Sequence, residues 1–324
     1  MENLKDTQIV KFAPEVRQAL EKSEPVLALE STVITHGLPF QQNLEIAHEL
    51  ERLASAEAVV PATIVILDGI VHIGVGKAEW EYLASLSQQA QTDSSVLKKL
   101  ARRDLALAVA KKWNGGTTVS ATIHLANFAG IKVFATGGIG GVHRKWQESF
   151  DISADLTAMS MCPVIIVTAG CKAILDIPAT LEQLETLSVP VLGWQTDYCP
   201  VFYSKDTPYP VERADDIDEI VQVWQNNLEL YQNGISKNAS PAVVVMNPVS
   251  DEYSIPSKQI EPFIHQALEE AERLGIKGKA TTPFLLAKLA EITHGKSVQV
   301  NLELLKNNVR LGSRIAKAVA ETRK

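Results

Sequence analysis

Short apolar runs alternate with amphipathic stretches along most of the chain. Val26–Leu29, Ala62–Leu67, Val133–Ala135, Val164–Val167, Val189–Gly193 and Ala242–Met246 are too short for helices and read as buried strands. Asp68-Gly69 reads as a hairpin turn into a further strand, Ile70–Ile73. Between these runs, apolar residues recur at helical spacing. Asn43–Ala54 carries Leu44, Ala47, Leu50 and Leu53 along one side. Further helices are expected at Lys77–Leu86, Leu181–Leu187, Ile217–Tyr231, Gln259–Leu274 with Gly275 as its stop, and Asn301–Ala320. Thr281-Thr282-Pro283 opens another that runs through Thr293, since proline suits a first helical turn. The alternation predicts a single α/β domain with a largely parallel sheet covered on both faces. Residues 1–24 are expected to form an arm and the short helix Pro14–Lys22, with the domain at 25–324.

The ends of the strands carry the chemistry. In an open parallel sheet, ligands sit beyond the carboxyl ends of the strands. Here those ends read Glu30-Ser31-Thr32, Thr136-Gly137-Gly138-Ile139-Gly140-Gly141 and Thr168-Ala169-Gly170. Glu30 is a surface acid or a catalytic one. The double-glycine loop lets backbone approach a small ligand closely, and His143 and Arg144 follow it, placed to bond an oxyanion. Lys172 follows an apolar strand and Ala169-Gly170-Cys171, so it is expected off the open surface. A lysine in water at pH 7 is neutral in about one molecule in 2,500, and desolvation or a nearby cation frees such an amine to attack a carbonyl carbon. The alternatives are an ion pair of Lys172 with Asp176, or Cys171 as the nucleophile. Asp151 and Asp155 are spaced to share one side of a helical turn, which suits a hard, water-rich ion such as Mg²⁺ or Mn²⁺, or simple helix capping by Asp151. Lys98-Lys99-Leu100-Ala101-Arg102-Arg103-Asp104 heads a helix through Lys111 and is either a phosphate clamp or a solvated helix end. Asn114-Gly115-Gly116-Thr117-Thr118-Val119-Ser120 opens a helix through Ala129, where backbone N–H groups can meet an anion. Thr35-His36-Gly37-Leu38-Pro39 reads as a turn, Ser87–Ser95 and Asn233–Pro241 as loops, and Trp194–Pro210 as a structured aromatic segment near the site or an interface. No G-x-G-x-x-G stands in its strand–helix context, and Gly295-Lys296-Ser297 lacks the earlier glycine of a phosphate loop.

Composition narrows the function class. The 324 residues are 46% hydrophobic and 21% charged, with a formal charge of −7, which argues against a general nucleic-acid binder. The three cysteines, Cys162, Cys171 and Cys199, form no C-x-x-C pair and are expected as reduced thiols of a cytoplasmic protein. The N-terminus lacks the apolar core of a signal peptide, and no run is apolar enough to span a membrane.

The motifs together resemble the pseudouridine-5′-phosphate glycosidases, relatives of the indigoidine synthase A group. The matching segments are Ala28–Gly37, Val60–Ile64, Arg102-Arg103-Asp104-Leu105, Gly116-Thr117-Thr118-Val119, Val133–Arg144, Asp151–Leu156, Ala169-Gly170-Cys171-Lys172, Asn247-Pro248 and Thr282–Leu286. They run in family order from about Pro25 to the C-terminus. The resemblance implies an α/β/α homotrimer that reversibly cleaves the carbon–carbon bond between sugar C1′ and uracil C5 of pseudouridine 5′-phosphate. Uracil joined through carbon has no leaving oxygen to protonate, unlike the leaving group of an ordinary glycosidase. The resemblance instead implies an opened ribose joined through C1′ to Lys172, with Glu30 as the acid that protonates C5. It also implies substrate contacts at Lys99, Val119, His143, Ser153, Ala154, Asp155 and Asn301. It places one divalent metal per subunit, Mn²⁺, on Asp151, with the roles of Asp151 and Asp155 undivided. The implied ligands are pseudouridine 5′-phosphate, uracil and ribose 5-phosphate, with no nucleic acid or membrane partner. The chain departs from the family at Ala101, where serine is usual, at Thr293-His294-Gly295-Lys296, and in extra residues within Ser87–Ser95 and Asn233–Ser240. Two other functions stay open: a related N-glycosidase or pigment-pathway enzyme, and a sugar-phosphate binder without turnover.

Overall fold

A computed structural model describes residues 6–36, 40–232, 240–276 and 278–322. Its strands are β1 Val10–Phe12, β2 Val26–Leu29, β3 Val60–Leu67, β4 Ile70–Ile73, β5 Lys98–Leu100, β6 Gly115–Thr117, β7 Val133–Ala135, β8 Ile165–Thr168, β9 Val191–Trp194, β10 Glu212–Ala214 and β11 Val243–Met246. They join in the order β1-β4-β3-β2-β7-β8-β11-β9-β10, with β6 pairing β3 and β5 pairing β6. From β3 through β10 along this path every pairing is parallel; β3–β4 and β3–β6 are antiparallel. Every residue of β2, β7, β8 and β11 is buried, as strands covered on both faces require. Helices flank the sheet, which is the α/β/α arrangement expected. The last helix, Lys296–Glu321, packs on β2, β7 and β8, and Val119–Ala129 packs on β2, β3 and β4. Among the described residues no helix is long and apolar enough to cross a membrane.

Register brings the strand ends level. Leu29 pairs with Ala135, Ala135 with Val167, and Thr168 with Met246. Glu30, Thr136, Ala169 and Asn247 therefore emerge at one end of the sheet.

Several expectations need correction. The N-terminal segment read as an arm contributes β1, which pairs with β4. Thr32–His36 is a short helix rather than the start of a turn, closed by Thr35 N–H and Ile34 N–H donating to the Ser31 carbonyl; Gly37-Leu38-Pro39 lie outside the described residues. The helix Lys77–Gln89 takes the first part of the Ser87–Ser95 loop. Lys98–Leu100 does not head a helix but pairs as β5 with β6; a 3₁₀ turn, Arg102–Asp104, precedes the helix Leu105–Ala110. Gly115–Thr117 is likewise strand, and the helix begins at Val119 with Thr118 as its N-cap. The helices expected from Leu181 and Asn301 begin earlier, at Ile177 and Lys296. Most of the Asn233–Pro241 loop lies outside the described residues.

One acid away from the site titrates unusually. Glu51, on the helix Phe40–Ala56, is partly buried and accepts from Thr63 Oγ1 at 2.7 Å. Burial pushes its carboxyl from 4.5 up to about 7. Between those values the folded chain holds a proton that the unfolded chain has released, so this group subtracts stability as pH rises through that window. Glu51→Gln keeps an acceptor for Thr63. It is expected to stabilise the fold at pH 8, by up to about 3 kcal/mol, and to change little at pH 4.5. Thermal unfolding at both pH values checks this.

Candidate active site

Two adjoining lobes open at the carboxyl ends of the strands. One is largely apolar, with Val33, Phe202, Pro283 and Leu286 in its walls and Gly137, Gly138, His36 and Asn301 beside them. The other is polar and is lined by Thr118, Val119, Ser120, Gly140, His143, Ser153, Ala154 and Asp155. Glu30, Thr32, Lys99, Lys172 and Thr282 line both. The predicted acid and amine thus stand where the lobes meet. Of the site residues that the family resemblance implies, only Asp151 lines neither lobe.

Local backbone explains how these groups converge. Lys172 N–H donates to the Ile139 carbonyl at 3.1 Å, and Ile139 N–H donates to the Gly170 carbonyl at 3.1 Å. The lysine segment is therefore laced to the glycine loop. A Cβ at Gly138 would lie 2.5 Å from the Phe202 ring and 3.3 Å from Lys172 Cγ, so the loop has no room for another residue there. Phe202 itself has a left-handed backbone, φ 52°, which is a strained state for a bulky aromatic. Its N–H holds the Ala169 carbonyl at 2.9 Å, and its ring meets Tyr203 edge-on at 4.9 Å.

Asp155 is an anchor at the polar lobe. Its Oδ1 accepts from Ser120 N–H at 2.8 Å and its Oδ2 from Gly140 N–H at 2.9 Å. One carboxylate thereby ties the start of Val119–Ala129 to the glycine loop. Asp151 and Asp155 do not share a helical turn. Ser153 is the N-cap of Ala154–Met159, its hydroxyl accepting from Asp155 N–H at 3.2 Å, and Asp151 precedes the helix. The capping alternative for Asp151 fails for the same reason. Among the described residues no group of three His, Cys, Asp or Glu side chains is arranged to hold a metal. Each Asp155 oxygen already accepts a backbone N–H, so a metal here would be carried mainly by Asp151 and water, a donor set that a hard divalent cation accepts.

Charges set the states of the site. Burial raises the Glu30 carboxyl, opposed by Lys172 and by the Thr136 hydroxyl, whose Oγ1 donates to Glu30 Oε1. His143 is lowered by burial and by Lys172 and Lys99, against the pull of Asp151. His36 is lowered by burial and then by Lys99. Both imidazoles are thus held neutral at pH 7, able to accept or pass a proton.

The alternatives raised from the sequence fare poorly. Asp176 caps the helix Ile177–Thr186, accepting from Ala179 N–H at 3.1 Å, rather than serving Lys172. The Cys171 thiol is fully buried and pushed well up by its hydrogen bond with Cys199 and by burial, which suits no nucleophile. Arg144, expected beside an oxyanion, instead pairs through Nη1 with Glu261 Oε1 at 2.5 Å. Of the cationic cluster only Lys99 lines the lobes; the Arg103 side chain is 74% exposed and Arg102 Nη1 rests on Met161 Sδ at 3.1 Å. Sequence reasoning did not single out Thr136, His36 and Thr32, whereas Phe202 lies in the aromatic segment expected near the site or an interface and lines the apolar lobe. Thr136 stood in the glycine-loop motif, but its bond to Glu30 depends on strand order.

Comparison with known proteins agrees with this geometry. The sequence matches the family described as indigoidine synthase A like protein over residues 15–318. A pseudouridine-5′-phosphate glycosidase from Caldanaerobacter subterraneus subsp. tengcongensis is 45% identical over 310 residues, covering 95% of this chain and 96% of that protein. The protein of the same name from Escherichia coli K12 is 44% identical over 315 residues, covering 96% and 95%. The crystal structure of an indigoidine synthase A-like protein from Thermotoga maritima superposes with a TM-score of 0.84 at 34% identity, covering 96% of this chain and 97% of that one. The prealnumycin C-glycosynthase AlnA, solved in complex with ribulose 5-phosphate, gives a TM-score of 0.86 at 31% identity, covering 98% and 99%. With the family matched along nearly its whole length, this chain belongs to the indigoidine synthase A-like family.

Proposed function

We propose that this chain is a pseudouridine-5′-phosphate glycosidase, cleaving pseudouridine 5′-phosphate and water reversibly to uracil and ribose 5-phosphate. One observation carries the reading: Glu30 and Lys172 stand together at the junction of an apolar and a polar lobe. The apolar lobe suits a flat base and the polar lobe a sugar phosphate. The names of the relatives at about 45% identity support the same substrate.

The chemistry follows from the carbon–carbon bond. Lys172 Nζ takes the place of the ring oxygen at C1′, and O4′ leaves as a hydroxyl. The nitrogen lone pair then becomes the C=N π bond as the C1′–C5 pair passes to uracil C5, which takes its proton from Glu30. Uracil departs, and water hydrolyses the iminium to ribose 5-phosphate and free Lys172. His143 is placed for the proton that ring opening requires. Lys99 bears positive charge on both lobes, and backbone N–H groups at the start of the helix Val119–Ala129 favour an anion. Ser153, Ala154 and Asp155 shape the sugar-phosphate side, and Asn301 faces the base side. Asp151 would carry the Mn²⁺ ion, which when bound adds positive charge near the phosphate. A cytoplasmic homotrimer completes the reading; Phe150, 79% exposed, and Ile152 flank Asp151 as apolar side chains that an interface would cover.

The test is release of uracil from pseudouridine 5′-phosphate set against release from its N-linked isomer, uridine 5′-phosphate. Cleavage of the first alone is expected. Cleavage of the N-linked isomer would favour an N-glycosidase, and cleavage of neither a different aglycone or a binder. AlnA makes a different aglycone a concrete alternative, since that relative is a C-glycosynthase.

A further inference from the structure

The hydrogen bond on Glu30 leads away from the cavity into the interior. Thr136, whose hydroxyl donates to Glu30 Oε1, is fully buried. Its backbone oxygen accepts from Asn308 Nδ2 at 2.7 Å. Asn308 Oδ1 accepts in turn from Asn247 Nδ2 at 3.0 Å. Asn308 is 1% exposed and sits on the last helix among buried Leu304, Leu305, Val309 and Leu311. An amide in such apolar surroundings is costly unless paired, and here its pairing is spent on the strand end that carries Thr136. Thr136 N–H holds the Val167 carbonyl at 3.0 Å and Asn247 N–H the Thr168 carbonyl at 2.7 Å, so the chain of bonds spans the ends of β7, β8 and β11.

A carboxylic acid carries its proton on one of two oxygens. A donor fixed on Oε1 makes that oxygen the acceptor and leaves the proton to Oε2. We propose that Thr136 and Asn308 are positioning residues of the proposed reaction: Asn308 fixes the Thr136 backbone, and the Thr136 hydroxyl confines the Glu30 proton to Oε2. This rests on the glycosidase reading above.

Three other charged groups face Glu30. Lys172 and Lys99 favour its charged form and Asp155 opposes it; none is altered by the variants below. Thr136→Val removes a donor that favours the carboxylate. Cleavage needs the protonated acid, so the basic limb of the kcat/KM profile is expected to move to higher pH. The value of kcat at neutral pH is expected to fall about tenfold, as loss of a hydrogen bond to an ionisable group implies. Thr136→Ser should restore both. Asn308→Ala should lower kcat by a similar factor, and the double variant no further than either single one. In every variant the borohydride-trapped adduct with ribose 5-phosphate, which does not need the acid, should form as in the parent chain and so report an intact fold. An unmoved pH limb in Thr136→Val, or losses that multiply in the double variant, would overturn the proposal. Absence of cleavage by the parent chain would instead overturn the glycosidase reading itself.

Discussion

Lys172→Ala is expected to abolish cleavage of pseudouridine 5′-phosphate, with a fall in kcat of roughly 10⁴-fold or more, the scale seen when a covalent nucleophile is lost. The expectation follows from the bond being broken. Without an amine on C1′, only the ring-oxygen lone pair, held more tightly than a nitrogen's, is left to drive the C1′–C5 electrons onto uracil. The side chain is also held where it can act. Its backbone is laced to the glycine loop through the Ile139 carbonyl, and a Cβ on Gly138 would lie only 3.3 Å from its Cγ. Lys172→Arg should fare no better, because a guanidinium stays protonated and does not condense with a sugar carbon. Steady-state uracil release measures the loss. A variant retaining more than about a tenth of the parent rate would speak against covalent catalysis by this residue.

Glu30→Gln should separate the two halves of the reaction. The introduced amide would fill the same space and still accept from Thr136, yet it has no proton to give C5. Cleavage is expected to fall by about 10³-fold, within the range of general-acid effects. Joining of ribose 5-phosphate to Lys172 should persist. The parent chain carries a matching pH signature. Burial raises the Glu30 carboxyl, so its acid form survives above the ordinary carboxylate range, and activity should decline only as pH rises through that raised value. In Glu30→Gln the residual rate should lack this decline. A rate profile that keeps the same basic limb would assign it to another group, with His143 the first to consider.

How much of this was legible in the sequence depended on where each signal arises. β2, β7, β8 and β11 announced themselves because strands buried on both faces must be apolar throughout. β5 and β6 did not. Lys98-Lys99-Leu100 carries two charges and Gly115-Gly116-Thr117 has almost no side chain, so neither has a strand's period. They pair because β3 offers an edge to β6, and a Cβ at Gly115 would strike the Lys98 carbonyl and, at 2.7 Å, Leu100. The short helix Thr32–His36 hid behind β-branched residues of poor helix propensity. In the site, Glu30 and Lys172 were legible as polar residues just past apolar strands. The split between Asp151 and Asp155 was not, because a serine between them starts the helix. Thr136, Asn308 and Asn247 could not be linked at all without the order of β7, β8 and β11, since their contacts span the sheet rather than the sequence.

A covalent bond between Lys172 and the sugar can be seen by mass spectrometry. The protein is incubated with ribose 5-phosphate and Mn²⁺, reduced with borohydride, digested and sequenced by fragmentation. One sugar-phosphate adduct per chain is expected, placed on Lys172 and missing from Lys172→Ala. Normal cleavage of pseudouridine 5′-phosphate by a protein that yields no adduct, or an adduct on Lys99 instead, would contradict it.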